Sequence, residues 1–200
     1  MKTFEWPSGT YAGYIFDCDG TLADTMPLHH RAWREALRAG GAAFDFHWDL
    51  FMSRAGMTLE RTVAELAEQF RVELHAETIA VTQRRRFLEL ESGVLPITDV
   101  VAFARRMAST HPISVASGSL RPHVERTLAH IGARDLFEVI VTPEDVTHGK
   151  PDPEMFLLAA ERMGVPPSQC LVFEDADLGI EAARRAGMAS VRVTPARPLG

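Results

Sequence analysis

Tyr14-Ile15-Phe16-Asp17-Cys18-Asp19-Gly20-Thr21 is the stretch that decides the fold. A short apolar run leads into two carboxylates two residues apart, and Gly-Thr follows. An apolar run closed by a turn signal reads as a buried strand. A strand ending in Asp-x-Asp-Gly-Thr puts two acids at the carboxyl edge of a sheet, where open α/β folds bind ligands. Neighbouring carboxylates repel each other unless a cation, a shared proton or solvent offsets the repulsion. The motif therefore points to a metal-assisted site.

Four more apolar runs follow: Pro112 to Ala116, Phe137 to Val141, Cys170 to Phe173 and Ala189 to Val193. Between the later ones lie helical segments, Glu154 to Met163 after Pro153 and before Gly164, and Leu178 to Ala186 before Gly187. Alternating strand and helix predicts a parallel sheet with helices on its faces. The gap between the first and second runs is far longer than one crossover helix needs. Only helical patterning fills it. Leu28, Ala32, Trp33, Ala36 and Leu37 form one apolar face that ends at Gly40-Gly41, and Thr62 to Phe70 and Ala76 to Leu90 read as two more helices. The expected organisation is a Rossmann-like parallel-sheet core, residues 1–27 and 96–200, with an inserted helical cap over residues 28–95. Pro27 and the Gly93 to Pro96 stretch mark the hinges.

With 200 residues, 46% hydrophobic and 24% charged, the chain has material for a sizeable core. A net charge of −6 argues against a general nucleic-acid surface. No apolar run approaches membrane-spanning length, and Met1 to Pro7 lacks the apolar core of a leader. Cys18 and Cys170 each adjoin a strand-like run, which predicts reduced, buried thiols and a cytoplasmic setting.

Each chemistry-bearing residue has a plainer reading. Asp17 and Asp19 do not open a calcium loop, because position six is Leu22 rather than Gly and position twelve is Leu28 rather than Glu. Cys18 lacks the nearby Arg that a thiol phosphatase needs, and reads as a small buried side chain. Ser117, in Val115-Ala116-Ser117-Gly118-Ser119, is either a helix cap or a hydroxyl that meets a phosphate oxygen beside Gly-eased backbone N–H groups. Lys150, in His148-Gly149-Lys150-Pro151-Asp152-Pro153, is not a P-loop lysine, since Pro151 follows it. A Pro-flanked loop instead holds its charge in one place. Glu174 and Asp175 close the fourth run as a second acid pair. Four carboxylates, a Lys and a Ser at one sheet edge make a site for a hard divalent cation and an anion.

Those residues, in that order, resemble the haloacid dehalogenase superfamily. The match is Asp17-Cys18-Asp19-Gly20-Thr21, then Ser117, then Lys150-Pro151, then Glu174-Asp175. The stretch Phe173-Glu174-Asp175-Ala176-Asp177-Leu178-Gly179 and the pair Asp24-Thr25 followed by His29, Ala32 and Trp33 are similar to the β-phosphoglucomutase-like subgroup. The resemblance implies a phosphatase of a small phosphate ester. Asp17 would be the nucleophile and Asp19 the acid and base. Mg²⁺ would be held by Asp17, Asp19 through its carbonyl, and Asp175, with Glu174 coordinating or orienting. Gly20, Thr21, Ser117, Gly118 and Lys150 would hold the phosphate, and Thr25 and His29 would lie near the nucleophile from the hinge. It further implies a small-molecule partner, no nucleic acid, no membrane, and a monomer or weak dimer. The subgroup's Arg for a second phosphate is replaced by Leu59 in Gly56-Met57-Thr58-Leu59, although Arg54 and Arg61 are nearby, and Leu120-Arg121 stands where a mutase carries Lys. These departures weigh against a mutase, and the overall resemblance is instead to sugar-phosphate phosphatases acting on fructose 1-phosphate or 6-phosphogluconate. A β-phosphoglucomutase and a non-catalytic binder on the same scaffold are the rivals.

Overall fold

The structure, a computed structural model, describes residues 9–195. The stretch 1–7, read above for a leader, lies outside the described residues. The chain divides into two compact units, one holding residues up to Asp24 and from Leu95 to Pro195, the other Thr25–Val94.

Five strands build the first unit: β1 (Gly13–Phe16), β2 (Ile113–Ala116), β3 (Val139–Val141), β4 (Cys170–Glu174) and β5 (Ala189–Arg192). They form one sheet in the order β3-β2-β1-β4-β5, and every pairing is parallel. The doubly wound order changes direction at β1, so that its carboxyl end faces the crevice where such sheets bind ligands. Register fixes what meets there. Phe16 lies opposite Phe173 on one side and Val115 on the other. The next residues along each strand, Asp17, Glu174 and Ala116-Ser117, therefore emerge at one level.

β1, β2 and β4 are buried throughout, which is why they read as continuous apolar runs and not as alternating ones. On one face Phe16 stacks on Phe173 at 4.8 Å and meets Phe137 edge-on at 5.9 Å, with Phe103 5.2 Å from Phe173. Phe103 comes from α5 (Thr98–Ala108). On the other face Ile15 and Val172 pack with Met155, Phe156, Ala159 and Ala160 of α7 (Glu154–Met163). Cys18 and Cys170 are free and buried.

α8 (Asp177–Arg185) follows β4 after two residues and runs close to it. A Cβ on Gly179 would lie 2.1 Å from the Glu174 carboxyl, so only glycine admits this approach.

The second unit holds α1 (Met26–Ala39), α2 (Trp48–Met52), α3 (Leu59–Phe70) and α4 (Ala76–Leu90). Pro27 sits in the first turn of α1, where its missing N–H leaves no bond unmade, and the division of the chain falls before it. Met26, Ala36, Leu37, Phe46, Leu50, Phe51, Val63, Leu66 and Ile79 make this unit's core. Gly40 lets α1 end against α4, since a Cβ there would meet Ile79 at 2.2 Å. His30 is buried among Phe46, Trp48 and Phe51, and its Nε2–H donates to the Phe46 carbonyl at 2.8 Å. No helix among the described residues is long and apolar enough to cross a membrane.

Two predictions follow from this packing. Gly179→Ala forces the new methyl onto a buried, fully bonded carboxylate; we expect a loss of about 2 kcal/mol, read as a lowered midpoint in urea, whereas Gly93→Ala, with nothing near its Cβ position, leaves Glu174 and the midpoint undisturbed. Burial holds the His30 imidazole below its usual pKa of 6.5, against the pull of its Phe46 bond. The unfolded chain thus takes up the proton first as pH falls below 6.5, and His30 lowers stability on the acid side. His30→Gln, which keeps a donor but does not titrate, should flatten the fall in stability between pH 7 and pH 5, measured by urea unfolding at each pH.

Candidate active site

Lys150 organises the carboxyl edge of the sheet. It arrives on the loop between β3 and α7, and its side chain is 6% exposed. Its Nζ donates to Asp17 Oδ1 at 2.8 Å, Glu174 Oε2 at 2.7 Å and the Ala116 carbonyl at 3.0 Å. An ammonium has three protons, and all three are used. The stem rests on the Phe156 ring, with Nζ 5.0 Å from its centroid. The loop is braced from α7. The Glu154 carboxylate accepts from the N–H of Thr147 at 2.9 Å and of His148 at 2.8 Å, while Asp152 accepts from Glu154 N–H at 3.0 Å.

Glu174 is spent in the same way. Beyond Lys150, its Oε1 accepts from the N–H of Asp175 at 3.2 Å and of Ala176 at 3.0 Å. Asp175 is held from the other side, where Arg192 donates to its carbonyl at 2.8 Å. Its Oδ2 is buried and has no hydrogen-bond partner among the described residues. Asp17, Glu174 and Asp175 are all buried, each offering a carboxylate oxygen within 4.8 Å of the others.

The Asp17 backbone continues the sheet, donating to the Phe173 carbonyl at 2.9 Å. The chain then turns back within a few residues. Gly20, at φ +82°, makes that turn possible and donates its N–H to the Ala23 carbonyl at 2.8 Å, while Leu22 and Ala23 both donate to Cys18. The Gly20 N–H is thus committed inside the turn. Thr21 is buried, and its Oγ1 has no partner among the described residues. Ser117 is buried as well. Its hydroxyl accepts from Ser119 N–H at 3.1 Å, which leaves its own proton to donate. Gly118 borders open space.

Asp19 is held by residues that the motif reading did not single out. Ser119 Oγ donates to Asp19 Oδ2 at 2.7 Å, and His123 Nε2 lies 3.5 Å from Oδ1. The trace in the sequence is the second serine of Ser117-Gly118-Ser119, which no single-residue motif marks.

The electrostatics are those of a site short of positive charge. Asp17, Asp19, Glu174 and Asp175 stand against a single ammonium among the described residues, that of Lys150. Burial pushes the Asp17 carboxyl up, Lys150 pulls it down, Glu174 and Asp19 push it up again, and it stands at about 8. Burial, then Asp17 and Glu174, hold Asp175 well above the carboxylate range. Burial opposes the Lys150 charge, but Asp17 and Glu174 keep it protonated. Burial, then Asp19 and Asp17, raise the Cys18 thiol, so it is no thiolate nucleophile. A divalent cation fits these residues: they supply hard oxygen donors, an unpartnered buried oxygen on Asp175, and an excess of negative charge.

Thr25 and His29 belong to the helical unit. Thr25 is buried just before α1, and its carbonyl accepts from the N–H of Leu28 and His29. The His29 ring stacks on Phe87 at 3.9 Å and lies 3.4 Å from Gln83 Nε2. The arginines that could grip a second phosphate are engaged elsewhere. Arg54 donates to the Leu50 carbonyl, Ser53 Oγ and Gln69 Oε1. Arg61 pairs with Glu65 at 2.8 Å, and Arg121 binds Asp145 at 2.6 Å and the Ile140 carbonyl at 3.0 Å.

Comparison with known proteins places the chain among hydrolases. The fructose-1-phosphate phosphatase YqaB of Escherichia coli (strain K12) is 42% identical over 185 residues, covering 92% of this chain and 96% of that protein. A phosphorylated carbohydrates phosphatase of Thermotoga maritima is 30% identical, covering 87% and 81%. The crystal structure of a hydrolase from Pseudomonas syringae superposes with a TM-score of 0.78 at 26% identity, covering 94% of this chain and 88% of that one. The family model described as haloacid dehalogenase-like hydrolase matches residues 11–187, and the chain belongs to that family.

Proposed function

We propose that this protein is a cytoplasmic, Mg²⁺-dependent phosphatase of a small sugar phosphate, working through a phosphorylated Asp17. The observation that carries this reading is the convergence of Asp17, Glu174 and Asp175 within 4.8 Å around the Lys150 ammonium. An anionic nucleophile must approach an anionic phosphate, and only a site that gathers cations permits it. The similarity to enzymes named for fructose 1-phosphate and phosphorylated carbohydrates supports the substrate class.

Asp17, the Asp19 carbonyl and Asp175 would hold the Mg²⁺, with Glu174 orienting the set through its bonds to Lys150 and to the backbone of residues 175 and 176. The bound cation would supply charge to neutralise the carboxylates and the phosphate. Asp17 attacks phosphorus in line, and the bond to the ester oxygen breaks as Asp19 passes a proton to that oxygen. A water then attacks the phosphorylated Asp17; Asp19 takes the water's proton, and phosphate leaves with Asp17 restored. Ser117, with its hydroxyl proton available, and the groups around Thr21 and Gly118 face the phosphoryl oxygens. Lys150 joins them by exchanging one of its three bonds.

The engagement of Arg54, Arg61 and Arg121 within the protein favours hydrolysis over mutase action, because a mutase must hold a bisphosphate and reorient it.

The test is phosphate release from a panel of hexose and pentose phosphates, with Mg²⁺ and with a chelator. We expect release that the chelator abolishes and that Asp17→Asn lowers by roughly three orders of magnitude or more. Formation of glucose 6-phosphate from β-glucose 1-phosphate, faster than phosphate release, would assign the mutase instead. Release from no ester in the panel would overturn the enzyme reading.

A further inference from the structure

The proton-transfer residue has its own support in the connection that follows β2. Asp19 stands on the turn after β1. Ser119, from the connection after β2, reaches it with a 2.7 Å bond from Oγ to Oδ2. Ser119 is itself fixed, because its N–H donates to the buried Ser117 hydroxyl at 3.1 Å. His123, in the first turn of α6 (Arg121–His130), places Nε2 3.5 Å from Oδ1. That is too long for a strong bond and close enough to limit rotation of the carboxyl. Both side chains of the His123–Asp19 pair are about 15% exposed, at 15% and 14%. One connection thus approaches both oxygens of Asp19.

We propose that Ser119 is a positioning residue that sets the Asp19 carboxyl for proton transfer to the leaving oxygen, with His123 bounding the opposite side. The inference rests on the phosphatase reading and deepens it. A serine hydroxyl has one proton to give. Given to Oδ2, it directs the acid's own proton to Oδ1. As Asp17 forms its bond to phosphorus, the ester P–O bond breaks and its electron pair goes to the leaving oxygen. That oxygen takes the proton from Asp19, which becomes a carboxylate. Without the Ser119 bond the carboxyl turns more freely, and the productive orientation is populated less.

The leaving group distinguishes this role from a structural one. A sugar alkoxide leaves poorly and needs the proton, whereas p-nitrophenolate leaves without it. General acid catalysis is worth about 10²–10⁴-fold, and a misaligned acid loses part of that. Ser119→Ala should lower kcat/KM for the most active sugar phosphate by about 10- to 100-fold and for p-nitrophenyl phosphate by less than about 3-fold. Ser119→Thr, which keeps the hydroxyl, should restore most of the loss. Equal losses on both esters would make Ser119 structural, and a rise in KM alone would make it a substrate contact; either overturns the inference while the phosphatase reading stands. Absence of hydrolysis by the wild-type protein overturns both.

Discussion

Lys150 ties three strand ends together with one buried ammonium. Its bonds reach Asp17 after β1, Ala116 at the end of β2 and Glu174 at the end of β4. A buried charge of this kind is tolerated only when every proton finds an acceptor. Here each does, and the loop that delivers the lysine is braced by Glu154 and Asp152. Removing the ammonium would leave two buried carboxylates facing each other, at a cost of about 3–5 kcal/mol. The parallel register does the rest: with Phe16 opposite Phe173 and Val115, the residues beyond them have no choice but to meet.

The site is therefore built against its own stability. Four acids share the edge with a single lysine, and burial pushes Asp17 to about 8 and Asp175 upward too. An apolar replacement would pack more easily there. The excess negative charge makes sense in a site that gathers a divalent cation, and the unpartnered Asp175 oxygen is where the protein leaves a donor unspent.

Much of this is legible in the sequence. β1, β2 and β4 are buried on both faces, so each reads as an unbroken apolar run, and the acids stand out because they end those runs. Helix α7 (Glu154–Met163) and α4 (Ala76–Leu90) fall where the sequence places them, bounded by Pro153 and Gly164 in the first case. The third run is shorter than read. Phe137 and Glu138 stay outside β3 because a one-turn 3₁₀ helix, Arg134–Leu136, delivers Phe137 to the aromatic face of the sheet. α2, α5 and α6 carry weaker marks. α2 has five residues, too few for periodicity to act on, and α6 carries Pro122 at its second position with little apolar patterning behind it. The partners of Asp19 were hidden for a different reason: a serine and a histidine on another connection acquire meaning only when the fold brings β1 and β2 side by side.

Charge allocation separates one-phosphate chemistry from two-phosphate chemistry. Gripping a second phosphate takes a cation that the fold has not already used. Arg121, standing where a mutase offers lysine, closes on Asp145, which Arg162 also binds at 3.0 Å. Burial raises the Asp145 carboxyl, but the Thr142 N–H, Arg162, the Thr142 hydroxyl and Arg121 outweigh it and hold it at about 2. Drawing Arg121 away would cost its bonds to Asp145 and to the Ile140 carbonyl. Arg54 donates to the Leu50 carbonyl, Ser53 and Gln69 in the helical unit. Arg121 and Arg54 are thus each engaged within their own unit.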